Sequence, residues 1–120
     1  MDVSDALIVD ATRTPWGKFG GALKEHRASD LASLLIRRLV ERNGVDTGAV
    51  DNVILGQVLQ AGAGQLPSRQ ALIGAGLPES TPSTLINKVC GSGMRAVTLA
   101  AGLIRSGENR LVFAGGMESM

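Results

Sequence analysis

Four short apolar runs, separated by three stretches of helical periodicity, divide the chain between Ala6 and Gly116. Ala6–Ala11 is β-branched in its middle and runs into Thr12-Arg13-Thr14-Pro15. It predicts a buried strand ending in a turn. Val50–Leu59, Thr81–Lys88 and Arg110–Ala114 predict three more strands, the last closed by Gly115-Gly116. Between them lie Leu31, Leu34, Leu35, Leu39 and Val40 at helical spacing, a short segment opened by Pro67, and Met94–Gly107. Strands that alternate with helices imply an α/β class and a mostly parallel sheet, because parallel neighbours need a crossover between them.

The punctuation supports that order. Ser29-Asp30 reads as an N-cap with an acidic first turn, and Gly44 as the stop of the same helix. Proline at a first helical position loses no hydrogen bond, so Pro67 can start a helix that ends near Gly74 and Gly76. In the last helix Met94, Ala96, Val97, Leu99, Ala100, Ala101, Leu103 and Ile104 cover almost the whole circumference. Such a helix is expected between two layers rather than on a wet surface. Its second layer need not come from these residues.

At 120 residues the chain suits one domain with a real core. The 12 basic and 11 acidic side chains are mixed, and no aromatic interleaves with a basic cluster. Nucleic-acid binding is therefore not expected. The longest apolar runs fall far short of a bilayer span, and Met1-Asp2-Val3-Ser4-Asp5 lacks the basic start of a secretory signal. One cysteine and one histidine exclude an intrachain disulfide and a Cys/His zinc site, so the expectation is a cytoplasmic protein with no metal.

That single cysteine, Cys90, lies where a strand gives way to a helix and is followed by Gly91-Ser92-Gly93. The positive end of a helix favours a thiolate, and its free N–H groups can stabilise a developing oxyanion. Glycines there let substrate and backbone approach closely. The competing reading is a small buried hydrophobe; the strand-to-helix position favours the nucleophile. His26, in Lys24-Glu25-His26-Arg27, reads as an exposed loop residue rather than a catalytic base. Gly17, Gly20 and Gly21 read as a plain loop, because no helix opens directly after them as a phosphate cradle requires. Asn87 and Glu118, near predicted strand ends, read as loop or cap hydrogen-bonders.

Four blocks carry a family resemblance. Ile86-Asn87-Lys88-Val89-Cys90-Gly91-Ser92-Gly93-Met94-Arg95-Ala96 resembles the nucleophile motif of thiolases. Asp10–Pro15 with Gly17 and Phe19-Gly20-Gly21, then Ile54–Val58 with Gly64-Gln65 and Pro67–Ala71, and finally Ala114–Met120 are similar to that family's other N-terminal blocks, in the same order. Within it the acetyl-CoA acetyltransferase branch is the nearest. The resemblance implies a thiolase-like fold, with this chain as the N-terminal βαβαβαβ half of a five-layered αβαβα architecture. Residues 1–120 would be that N-terminal domain, cut where a loop domain begins at about 117–120, without the C-terminal domain.

The resemblance also implies a chemistry. Cys90 would take the acyl group of an acyl-CoA as a thioester, with its own backbone N–H in an oxyanion hole. A second acetyl-CoA would then condense with the acyl-enzyme to give acetoacetyl-CoA and CoA, the reverse being thiolysis of a 3-oxoacyl-CoA. CoA thioesters would be substrates, with no cofactor beyond them. The family's activating histidine, its second cysteine, and a further histidine and asparagine have no matching positions here, so the chain alone is expected to be inactive. A homo-oligomer, dimer or tetramer, is implied, with Thr81–Lys88 at the dimer interface. A related 3-oxoacyl-carrier-protein synthase and a non-catalytic half remain as alternatives.

Overall fold

A computed structural model describes residues 5–120. Met1–Ser4, part of the segment read as lacking a secretory signal, lie outside the described residues. Helix α1 (Ala28–Asn43) is followed by a 3-10 turn (Thr47–Ala49), strand β1 (Asn52–Gly56), helix α2 (Pro67–Gly74), strand β2 (Ser83–Ile86), helix α3 (Ser92–Arg105) and strand β3 (Val112–Gly116). The three strands form one parallel sheet in the order β2-β1-β3. The α/β class follows as the alternation implied. No described helix is long and apolar enough to cross a membrane.

The central strand explains the layering. Side chains alternate faces along a strand, and in β1 both faces are dry. Val53 and Leu55 point to one side, into a core shared with Ala28, Ala32 and Ile36 of α1 and Ala71 and Leu72 of α2. Ile54 points to the other, onto Ala96 and Ala100 of α3. Val53 and Ile54 are both 0% exposed, each contributing about 1.5–3 kcal/mol of apolar burial. The result is three layers, α1 and α2 over the sheet and α3 beneath it.

Several local expectations needed correction. Ala6–Ala11 forms no strand; Leu7, Ile8 and Val9 are 77%, 80% and 81% exposed. A strand needs a neighbour's N–H and C=O groups, and this run lies beside none. It is held instead at Asp10, which accepts from Arg42 Nε at 2.9 Å and Asn43 Nδ2 at 2.6 Å. The described order therefore begins with α1. That helix starts at Ala28, before the expected Ser29-Asp30 cap, and is capped by Arg27; Asp30, in its first turn, accepts from the Arg27 backbone N–H at 3.3 Å. Gly44 ends it in the left-handed conformation, φ 59°, as expected.

The face α1 buries is also not the leucine stripe. Leu34 is exposed, whereas Ala28, Ser29, Ala32, Ser33 and Ile36 are buried. Small residues win because α1 and α2 lie close together. Ser33 Oγ donates to Ala71 O at 2.9 Å, and a Cβ on Gly74 would fall 2.5 Å from Ser33 Oγ. Helix α3 lies on the sheet through Ala96 and Ala100, while Met94 and Val97 on it are exposed. Among the described residues, no second layer covers that apolar face.

Candidate functional site

The carboxyl ends of β1, β2 and β3 meet the N-terminus of α3 in an open cleft of about 280 Å³. Ligands of open α/β sheets bind at such strand ends. Gly56, Gln57 and Val58 come from the end of β1, Gly116, Met117 and Glu118 from the end of β3, and Val89, Cys90, Ser92 and Gly93 from the β2–α3 turn. Gln57 N donates to Ile86 O at 3.1 Å and Met117 N to Gly56 O at 2.9 Å, so the three strand ends are tied together.

Cys90 is exposed and unpaired. In this structure the thiol therefore takes no part in the buried core. Val89, just before it, has φ +48°, an outlier for a β-branched residue. Ser92 holds the turn from inside the helix: its Oγ accepts from Lys88 N at 2.8 Å and donates to Val89 O at 2.7 Å. The N–H groups of Gly91 and Ser92 are used on Lys88 O and Val89 O. Those of Cys90, Gly93 and Met94 make no hydrogen bond among the described residues. An exposed thiol and backbone donors unengaged among the described residues thus share one turn at the end of a helix.

Three glycines make this turn fit against the sheet. A Cβ on Gly56 would lie 2.5 Å from the backbone carbonyl carbon of Ser92, and one on Gly116 would lie 3.1 Å from Gly93 Cα. Backbone therefore rests on backbone where α3 meets β1 and β3. A glycine ending an apolar strand is the signal for such an approach, and at Gly56 the sequence reading did not use it. Val89 carried no comparable signal. Gln57, also missed, is buried in the wall between this cleft and a second one of about 250 Å³, its Nε2 donating to Leu59 O at 3.1 Å.

The other sequence-singled residues fall as follows. His26 is exposed and lines the second cleft, whereas Cys90 lines the first. Gly17, Gly20 and Gly21 belong to a turn-rich loop that ends before α1. Asn87 and Glu118 make loop hydrogen bonds: Val89 N donates to Asn87 Oδ1 at 2.9 Å, and Val58 N to Glu118 Oε2 at 2.9 Å. No group of three or more His, Cys, Asp or Glu side chains poised for a metal occurs among the described residues.

Residues 6–120 match the family model described as the N-terminal domain of thiolase. The chain is 54% identical over 118 residues to a probable acetyl-CoA acetyltransferase of Escherichia coli K12, a match covering 98% of this chain and 30% of that protein. It is 52% identical over 118 residues to an acetyl-CoA acetyltransferase of Pseudomonas aeruginosa, with the same coverage. It is 51% identical to the mitochondrial acetyl-CoA acetyltransferase A of Xenopus laevis, covering 98% of this chain and 28% of that one. The chain thus spans less than a third of the length of the curated relatives it matches.

Proposed function

The chain belongs to the thiolase family, and we propose that Cys90 is its acyl-accepting nucleophile. The observation that carries this reading is an exposed thiol lining the strand-end cleft, beside backbone N–H groups left unengaged among the described residues. The Cys90 thiolate attacks the carbonyl carbon of an acyl-CoA thioester. The resulting oxyanion takes a hydrogen bond from the Cys90 N–H, and the CoA thiolate leaves and takes up a proton. The product is an acyl-cysteine.

In the complete reaction a second acyl-CoA, deprotonated at its α-carbon, attacks that acyl carbon. The new carbon–carbon bond gives a 3-oxoacyl-CoA, and the Cys90 thiol is released; thiolysis runs the same steps backwards. Acetyl-CoA is the acyl donor proposed, from the printed names of the relatives. Losing one oxyanion donor alone costs about 10²–10³ in rate. These 120 residues hold one cysteine and one histidine, the latter on another cleft. The chain by itself therefore acylates slowly and does not complete the condensation. A cytoplasmic homo-oligomer with no cofactor beyond its CoA thioesters completes the reading.

Mass spectrometry after incubation with acetyl-CoA tests the first step. An acetyl adduct on Cys90, absent from Cys90→Ser, is expected. A chain that stays unmodified at Cys90, or that is acylated only by carrier-protein thioesters, refutes the proposal.

A further inference from the structure

We propose that Glu118 and Asn87 are positioning residues for Cys90, joined through the Val58–Leu59 peptide into one hydrogen-bonded tie across the ends of all three strands. The links run in order. Glu118 follows β3, and its carboxylate accepts from Val58 N at 2.9 Å and Leu59 N at 3.0 Å. Val58 lies just beyond the end of β1, and its carbonyl accepts from Asn87 Nδ2 at 3.3 Å. Asn87 follows β2, and its Oδ1 accepts from Val89 N at 2.9 Å. Val89 adjoins Cys90.

One peptide plane sits in the middle of the tie. The carbonyl of Val58 and the N–H of Leu59 belong to the same rigid amide. Asn87 holds one side of that plane and Glu118 the other. Charge drawn to the N–H by a carboxylate strengthens the carbonyl as an acceptor, so the two bonds reinforce each other.

The tie ends on a strained residue. A valine at φ +48° persists only where its surroundings over-determine it. Val89 is gripped twice, through its N–H by Asn87 and through its carbonyl by Ser92 Oγ. Release of the first grip lets Val89 return toward an extended backbone and carries Cys90 away from the N-terminus of α3. Glu118 thus acts on Cys90 from a distance, through the Val58–Leu59 plane and Asn87.

This inference rests on Cys90 being a reactive thiol, and the test separates the two. The readout is the rate of Cys90 alkylation by iodoacetamide, with far-ultraviolet circular dichroism confirming a folded chain. Asn87→Ala and Glu118→Ala are each expected to slow alkylation about two- to tenfold, the span of one net hydrogen bond. The double variant should fall within about twofold of the slower single variant, because a series tie broken once has nothing left to lose. Glu118→Gln keeps one carbonyl acceptor but turns an NH2 donor toward the other backbone N–H, so it should slow alkylation, by no more than Glu118→Ala does.

Val89→Gly removes the strain and should restore the rate in the Asn87→Ala background, since glycine holds the left-handed conformation at no steric cost. A merely structural role would move stability without this rescue. A reactive Cys90 that is indifferent to both alanines, multiplicative losses in the double variant, or no rescue by Val89→Gly would each overturn the tie. An unreactive Cys90 in the unaltered chain would overturn the nucleophile reading beneath it. If Glu118→Ala fails to fold, Asn87→Ala and its Val89→Gly rescue still decide the question.

Discussion

Gly56→Ala is a one-methyl change that should damage both the fold and the site. The added Cβ would sit 2.5 Å from Ser92 C, 2.6 Å from Ser92 Cβ and 2.7 Å from Gly93 N. Carbon atoms in good contact lie about 3.5–4.0 Å apart, so the shortfall is about 1 Å. Two of the three obstructing atoms are backbone in the first turn of α3, and no rotamer change removes them. Relief requires lifting the start of α3 from β1, and the same movement loosens Ile54 from Ala96, both 0% exposed. Overpacking of this kind costs about 1–3 kcal/mol, and the backbone obstruction places Gly56→Ala at the upper end.

Denaturant titration at constant slope gives the stability difference, and Cys90 alkylation follows the displaced turn. Gly102→Ala is the internal control. Its Cβ would meet nothing within 4 Å in the last turn of α3, so it should stabilise by up to about 0.5–1 kcal/mol through helix propensity alone. If Gly56→Ala lies within about 0.5 kcal/mol of the unaltered chain, the close approach of α3 to β1 is refuted.

Two further outcomes are expected. The backbone N–H groups of Arg110 and Leu111 hold the Asp51 carboxyl below its ordinary value of 3.8, and the amide of Asn43 followed by the guanidinium of Arg42 does the same for Asp10. A carboxyl whose folded pKa is depressed adds stability above its unfolded pKa and loses it as pH falls through the folded value. Unfolding midpoints should therefore fall below about pH 4, and Asp51→Asn should shrink that acid-side loss; an unchanged pH profile counts against it. Ile8→Ser should shift stability by less than about 0.5 kcal/mol, because Ile8 is exposed beside no strand. A loss of 2 kcal/mol or more, roughly the cost of emptying a buried site, would show that Ala6–Ala11 is a core strand after all.

What the sequence by itself determined is local. The segment around Val53–Leu55 predicts a strand, and β1 forms there. Gly44 and Pro67 marked a helix end and a helix start where the chain has them, since each acts on its own backbone. The position of Cys90 between a strand and a helix was legible for the same reason, and with the flanking blocks it named the family.

What only the tertiary structure decided depends on residues far apart. Whether Ala6–Ala11 pairs depends on a neighbouring strand that no local pattern supplies. Which stripe of α1 is buried depended on how near α2 lies, and the small residues displaced the leucines. The two bonds of the tie at Val58 span 29 and 60 residues, and the left-handed Val89 they help hold is unfavourable on its own. Periodicity reports the face a segment prefers, whereas close approach, strain and long-range hydrogen bonds exist only once the segments have met.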